Sequence, residues 1–209
     1  ALSIGFLGDW VYSNPVTVDM NYMGEIKMHP IADNMTSILS MAALIAFVVW
    51  RMRVRNIPLT ELGSLQLRRN DLIYGTVFLA LFIFLEEIYM LLLGLEMPEG
   101  FIEFMLSEPL ILGLISVIIV APIAEEFIFR GFLYSQLSRT KFRPWGAVTV
   151  SSLLWTIIHF QYEPLILVVL FGFGIFLGYI RMAYKSLSLP IALHAINNTF
   201  AFFMAYYFY

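Results

Sequence analysis

Three sets of polar residues stand in otherwise apolar stretches of the sequence and could between them do chemistry. They are Glu125 and Glu126 with Arg130, Trp155 with His159, and His194 with Asn198. A charge in hydrocarbon costs about 2.5–3.5 kcal/mol on insertion scales, so a carboxylate there needs a partner or a task. Glu126 and Arg130 are four apart with the acid first, the spacing and order of a helical ion pair. Glu125 is rotated by about 100° from its neighbour and has no base at that spacing. Two readings stay open. Either the pair is structural and Glu125 a spare acid, or Glu126–Arg130 locks the helix and leaves Glu125 free to act on a substrate.

Trp155/His159 and His194/Asn198 repeat the four-residue spacing, so each couple projects from one helix face. Depth connects them. At about 1.5 Å per residue, Glu125 lies roughly 21 Å from Arg139 and His159 roughly 24 Å from Arg143. His194 lies roughly 14 Å from Lys185, and Asn198 one turn deeper at about 20 Å. One imidazole in a membrane often only packs; two imidazoles, an amide and a carboxylate in one layer point to a shared site. Glu86 and Glu87 lie about as deep, roughly 22 Å from Asp71, but no arginine stands four residues on. They fit as supporting acids, a cavity wall or part of an ion pathway.

The elements that must position these groups follow from composition and breakers. The 209 residues are 60% hydrophobic and 13% charged, beyond the roughly 45–50% apolar content of a soluble domain. The chain is therefore an all-α polytopic membrane bundle. No cysteine is present, which excludes disulfides, thiolate metal sites and a cysteine nucleophile. No basic stripe suggests nucleic acid. The chain opens without Met or a charged segment, so no cleavable signal peptide is expected.

Residues 1–33 are turn-rich and read as an extramembrane segment, with Trp10 and Tyr12 as an interfacial anchor and His29 as a loop histidine. Residues 34–209 form the bundle, with about six spans. The spans run from Met35 to Trp50, Asp71 to Leu95, Pro109 to Leu137, Trp145 to Phe160, Leu165 to Ile180, and Leu189 to the end. Loops at 51–70, 138–144 and 181–187 hold ten of the twelve Lys and Arg, alternating with neutral or acidic loops such as Glu96 to Glu108. By the positive-inside rule those three loops face the cytoplasm and both ends face out. No internal repeat is evident, which disfavours an inverted-repeat transporter.

The residues now carry a resemblance. The run Glu125-Glu126-Phe-Ile-Phe-Arg130-Gly131, the run Trp155-Thr-Ile-Ile-His159 and the run His194-Ala-Ile-Asn-Asn198 resemble, in order, the three motifs of the CPBP intramembrane proteases. This CAAX protease and bacteriocin-processing family is also called Abi and is related to the CAAX prenyl endopeptidase Rce-one. Trp155 stands where the family usually has Phe, a departure compatible with a packing role. The glycines at 172, 174 and 178 and the Ser-Leu-Pro before the last span also look like the family. The likeness covers about residues 108–202, less than half the chain.

What the resemblance implies is an endopeptidase in which Glu125, aided by His159, activates water, while His194 and Asn198 steady the oxyanion. Glu126 would hold Arg130, with Trp155 packing nearby. Positioned donors at a developing charge are worth about 2.7–4 kcal/mol each, and no covalent intermediate is expected. A metal-free mechanism is favoured; the alternative is zinc on Glu125, His159 and His194, a catalytic donor set with one open position. The expected partners are the lipid bilayer and a membrane-associated protein or peptide substrate. The expected location is a bacterial or archaeal cytoplasmic membrane, with the cavity opening to the cytoplasm. Two other functions compete: a proton- or ion-coupled carrier using Glu86, Glu87, Glu125 and the histidines, and a catalytically silent scaffold or immunity protein on the same fold.

Overall fold

The structure, a computed structural model, describes residues 30–106 and 110–208. The extramembrane reading of residues 1–33, with Trp10, Tyr12 and His29, lies outside the described residues up to residue 29, and helix begins at Pro30.

Seven helices form among the described residues. They are α1 (Pro30–Val54), α2 (Arg69–Leu93), α3 (Glu99–Met105), α4 (Leu110–Leu137), α5 (Arg143–Ile157), α6 (Pro164–Tyr184) and α7 (Ser188–Phe208). Four of them contain segments long and apolar enough to cross a membrane: Asn34–Val54 of α1, α2, α4 and α6. The remaining two of the six expected segments differ from these. The α5 helix has 15 residues, about 22 Å, short of a 30 Å hydrocarbon core. The α7 helix has 21 residues but carries His194, Asn197 and Asn198. Residues 99–105, read from the sequence as part of an acidic loop, are the short helix α3.

The surface is what a bilayer requires. Along α2 only Gly75 and Leu79 are buried, while Val77, Phe84, Leu91 and Leu92 stand exposed. An apolar face of that extent is stable only against lipid. The protein is an integral membrane helical bundle.

The centre is built by α4, α5, α6 and α7. Gly178 brings α6 against α5, since a Cβ there would stand 2.8 Å from Val148 Cγ1. A Cβ on Gly174 would meet Ser152 at 3.0 Å and Arg130 at 3.4 Å. Small residues at these two positions let the backbones approach as they do in membrane helix pairs. Leu79 of α2, Trp155, Phe173 and Leu177, and Leu189 and Leu193 of α7 make the core cluster beside them.

The α4 helix is continuous but not uniform. Ile115–Val120 and Phe127–Leu133 are π-helical, and the α-helical turn Ala121–Glu126 lies between them. Pro122 gives a reason for the first widening. Its ring lacks a donor and crowds the carbonyl four residues back, and a π segment relaxes that crowding. The glutamates thus sit on a short turn between two wide ones.

At the basic end, α6 stops at Lys185 in left-handed geometry, φ 51°. Ser64 and Ser186 then form an isolated parallel bridge, and Leu187 and Leu189 are buried before α7 has made a full turn. Arg181 is not a loop cation, as its place in the sequence suggests. It is buried and donates from Nε to the Arg130 carbonyl at 3.1 Å, with its guanidinium 5.1 Å from the Tyr134 ring centroid.

Candidate functional site

The geometry starts from Glu126. Its Oε1 accepts from Arg130 Nη1 at 2.9 Å and from His194 Nδ1 at 2.9 Å. Glu126 and Arg130 are wholly enclosed. Arg130 also donates from Nη2 to the Gly174 carbonyl at 3.1 Å, and its guanidinium lies 5.1 Å from the Trp155 ring centroid. The i, i+4 ion pair expected from the sequence is therefore present, and it does more than lock α4. It reaches α7 through the histidine and α6 through a backbone carbonyl. A carboxylate only accepts, so the His194 proton that meets it sits on Nδ1 and Nε2 is turned the other way.

Nε2 of His194 faces Glu125, 4.0 Å from Oε2. Glu125 retains 15% of its side-chain exposure where Glu126 retains none, so the two adjacent acids part as their 100° rotation requires. Glu125 Oε2 accepts from the Trp155 indole Nε1 at 2.6 Å. Trp155 is 2% exposed and packs between both histidines and Arg130. Its ring lies 4.8 Å from His159, 5.9 Å from His194 and 6.1 Å from Phe173 between centroids. Tryptophan at this position is thus more than packing, because its N–H holds a carboxylate that phenylalanine could not.

His159 follows the last turn of α5 and binds back to it. Its Nδ1 lies 2.8 Å from the Trp155 carbonyl, which can only accept, so Nδ1 donates and Nε2 is left for other partners. Asn198 lies one turn beyond His194, and its Nδ2 donates to the Val117 carbonyl at 2.9 Å, inside the first π segment of α4. One amide hydrogen is thereby used in joining α7 to α4. Glu125, Glu126, Arg130, Trp155, His159 and His194 are linked by these contacts; Asn198 is joined to them through the backbone of α4.

Tyr162, which the sequence reading passed over, completes one wall. It lies in the turn between α5 and α6, its ring stacked on His159 at 6.2 Å and 17° and edge-on to Phe101 of α3 at 6.4 Å. Burial pushes its phenol above the usual range; a hydrogen bond with Gln161 opposes this, and the charge of Glu125 adds to it. The phenol thus stays a neutral donor. Only its place in the fold, within the turn between α5 and α6, could have marked it.

Among the described residues no group of three or more His, Asp or Glu side chains is gathered to hold a metal ion. The Nδ1 atoms of His159 and His194 and the Oε2 of Glu125 are engaged by protein partners, which leaves Nε2 of each histidine and Oε1 of Glu125 as the outward-facing atoms. Glu125, His159 and His194 do not by themselves form such a group among the described residues.

No solved structure matches this chain at a significant level. An "Uncharacterized 24.3 kDa protein" of Escherichia coli is 35% identical over 91 residues, which make up 43% of this chain and 42% of that one. The chain thus spans about two fifths of the length of that curated relative. Residues 107–200, a segment that holds every residue of the site, match the family described as "Type II CAAX prenyl endopeptidase Rce1-like".

Proposed function

We propose that the protein is an intramembrane endopeptidase that hydrolyses a peptide bond in a membrane-associated protein or peptide by glutamate-activated water. The observation that carries this reading is the 4.0 Å gap between Glu125 Oε2 and His194 Nε2, both oriented from behind by other side chains. The gap is too long for a direct hydrogen bond and suits a bridging water.

In the reaction, Glu125 takes a proton as the water oxygen bonds to the scissile carbonyl carbon. The carbonyl oxygen becomes an oxyanion. His194 donates to it from Nε2 in its doubly protonated form, and Asn198 offers the amide hydrogen not spent on Val117. The carbon–nitrogen bond then breaks, and the proton on Glu125 passes to the leaving amine. His159 assists the water from the Trp155 side. Glu126 takes no proton; its bond to Nδ1 holds His194 in the direction the step needs. The basic loops face the cytoplasm, and the cavity opens to that side.

The test compares membranes carrying the wild-type protein with those carrying Glu125→Gln, reading new peptide N-termini by mass spectrometry. Fragments should appear only with the wild type, at matched protein levels, and should persist when a zinc chelator is added. Fragments unchanged by the substitution would sink the assignment, and fragments abolished by the chelator alone would sink the metal-free route.

A further inference from the structure

A polar cavity lies away from the glutamates, at the basic end of the bundle. It encloses about 400 Å³ and is lined by Arg51, Arg55, Ile57, Phe132 and Gln136. Arg51 and Arg55 are four apart, on one face at the end of α1. Among the described residues neither forms an ion pair, and no carboxylate lines the cavity. Two unpaired guanidiniums outweigh the roughly half negative charge that a helix C-terminus presents. The cavity is electropositive.

Its walls are built rather than incidental. Asn56 takes left-handed geometry at φ 53°, and Ile57 N–H returns to the Met52 carbonyl at 2.9 Å. That is a Schellman-type helix ending, in which the residue after the left-handed position folds back onto the helix. Here it turns Ile57 against the cluster of Val48, Met52 and Leu62, which also packs Phe132. The apolar wall is therefore fixed by the core. Gln136 of α4 adds an amide donor on the opposite side.

The depth is that of a lipid headgroup. The segment of α1 long enough to cross a membrane runs for 21 residues from Asn34 to Val54, and its last turn carries Arg51 and Arg53, so the guanidiniums stand where the hydrocarbon crossing ends. Arg55 follows it directly. Basic pockets between helices at that level suit anionic headgroups. We propose that this cavity is a binding site for the phosphate of an anionic phospholipid, held by Arg51, Arg55 and Gln136, with the lipid's glycerol end against Ile57 and Phe132. The site borders α4 ten residues beyond Glu126, so its occupancy bears on the helix that carries the acids.

Thermal unfolding of the whole protein in a neutral detergent, titrated separately with phosphatidylglycerol, phosphatidylcholine and inorganic phosphate, tests this. A ligand that binds only the folded state raises the melting temperature saturably. Phosphatidylglycerol should do so, and phosphatidylcholine, whose choline cancels the charge, should bind at least about tenfold more weakly. Inorganic phosphate should have no effect; a shift equal to that of phosphatidylglycerol would overturn the lipid assignment in favour of a free anion.

Arg51→Gln with Arg55→Gln should weaken the lipid effect by about tenfold or more. Arg68→Gln with Arg69→Gln, the same charge change at the start of α2, should leave it within about twofold. Equal losses from both double variants would mean diffuse surface attraction and overturn the site. Arg55 is exposed, so Arg55→Glu alone spares the fold and should also abolish the saturable shift; retention of the shift there would refute the proposal.

Discussion

The chain carries the dipeptide Glu-Glu twice in apolar helix, at Glu86–Glu87 in α2 and at Glu125–Glu126 in α4. The two pairs meet different surroundings. In α4 one acid is enclosed with an arginine and a histidine at 2.9 Å, and the other is gripped by an indole at 2.6 Å. In α2, Glu86 is half-buried and Glu87 is exposed on a helix whose outer face meets lipid, and neither has an ion-pair partner among the described residues. The same two residues are a built constellation in one place and a pair of peripheral acids in the other. What decides is the neighbouring helices, since α4 is surrounded and α2 lies at the edge.

The comparison can be broken by removing what surrounds the α4 pair. Loss of the proposed base should have the largest effect on turnover, about 10²–10⁴-fold for Glu125→Gln. Stability should be nearly untouched, because Glu125 keeps part of its side chain exposed. The reverse holds one residue on. Arg130→Leu leaves the fully enclosed Glu126 without its arginine, and breaking a buried pair costs about 3–5 kcal/mol. Chemical denaturation should show that loss directly. If Arg130→Leu unfolds at the same denaturant concentration as the wild type, the pair does not anchor α4.

A smaller effect sharpens the same point. Trp155→Phe keeps the ring against Phe173 and His159 but deletes the donor to Glu125. A hydrogen bond to a charged group is worth about 1.5–3 kcal/mol, so turnover should fall by about 10- to 100-fold with the helical content unchanged. Unchanged turnover would mean that Glu125 is positioned by the backbone alone.

Much of this was legible in the sequence, for a physical reason. Charges and imidazoles in apolar helix are rare enough that Glu125, Glu126, Arg130, His159 and His194 could be named from spacing, and the ion pair formed as the i, i+4 rule requires. Depth was read less well. Counting from Lys185 placed His194 about 14 Å from the basic end, shallower than Glu125, yet the two face one another. The chain dives inward at Ser186 and Leu187 before α7 starts, so the loop cation is a poor ruler. Two further features had no one-dimensional signal. The donor role of Trp155 and the stacking of Tyr162 on His159 arise from how α5 ends against α4 and α3, which spacing within a helix cannot show.

The smallest expected effect is the one that most directly tests the contrast between the two acid pairs. Glu86→Gln and Glu87→Gln remove the α2 charges while keeping size and hydrogen-bonding capacity. Glu87 is exposed and Glu86 has no cation to abandon among the described residues, so neither change should strand a buried partner. Substitutions of that kind usually stay within about 0.5 kcal/mol, and peptide hydrolysis should remain within about threefold of wild type. A proton- or ion-coupled carrier predicts the opposite, because a relay needs every titrating group along its path. Reconstituted vesicles would then lose proton or ion flux equally in Glu86→Gln and Glu125→Gln. Equal loss in both would dissolve the distinction between the two pairs and, with it, the case for hydrolysis at the α4 site alone.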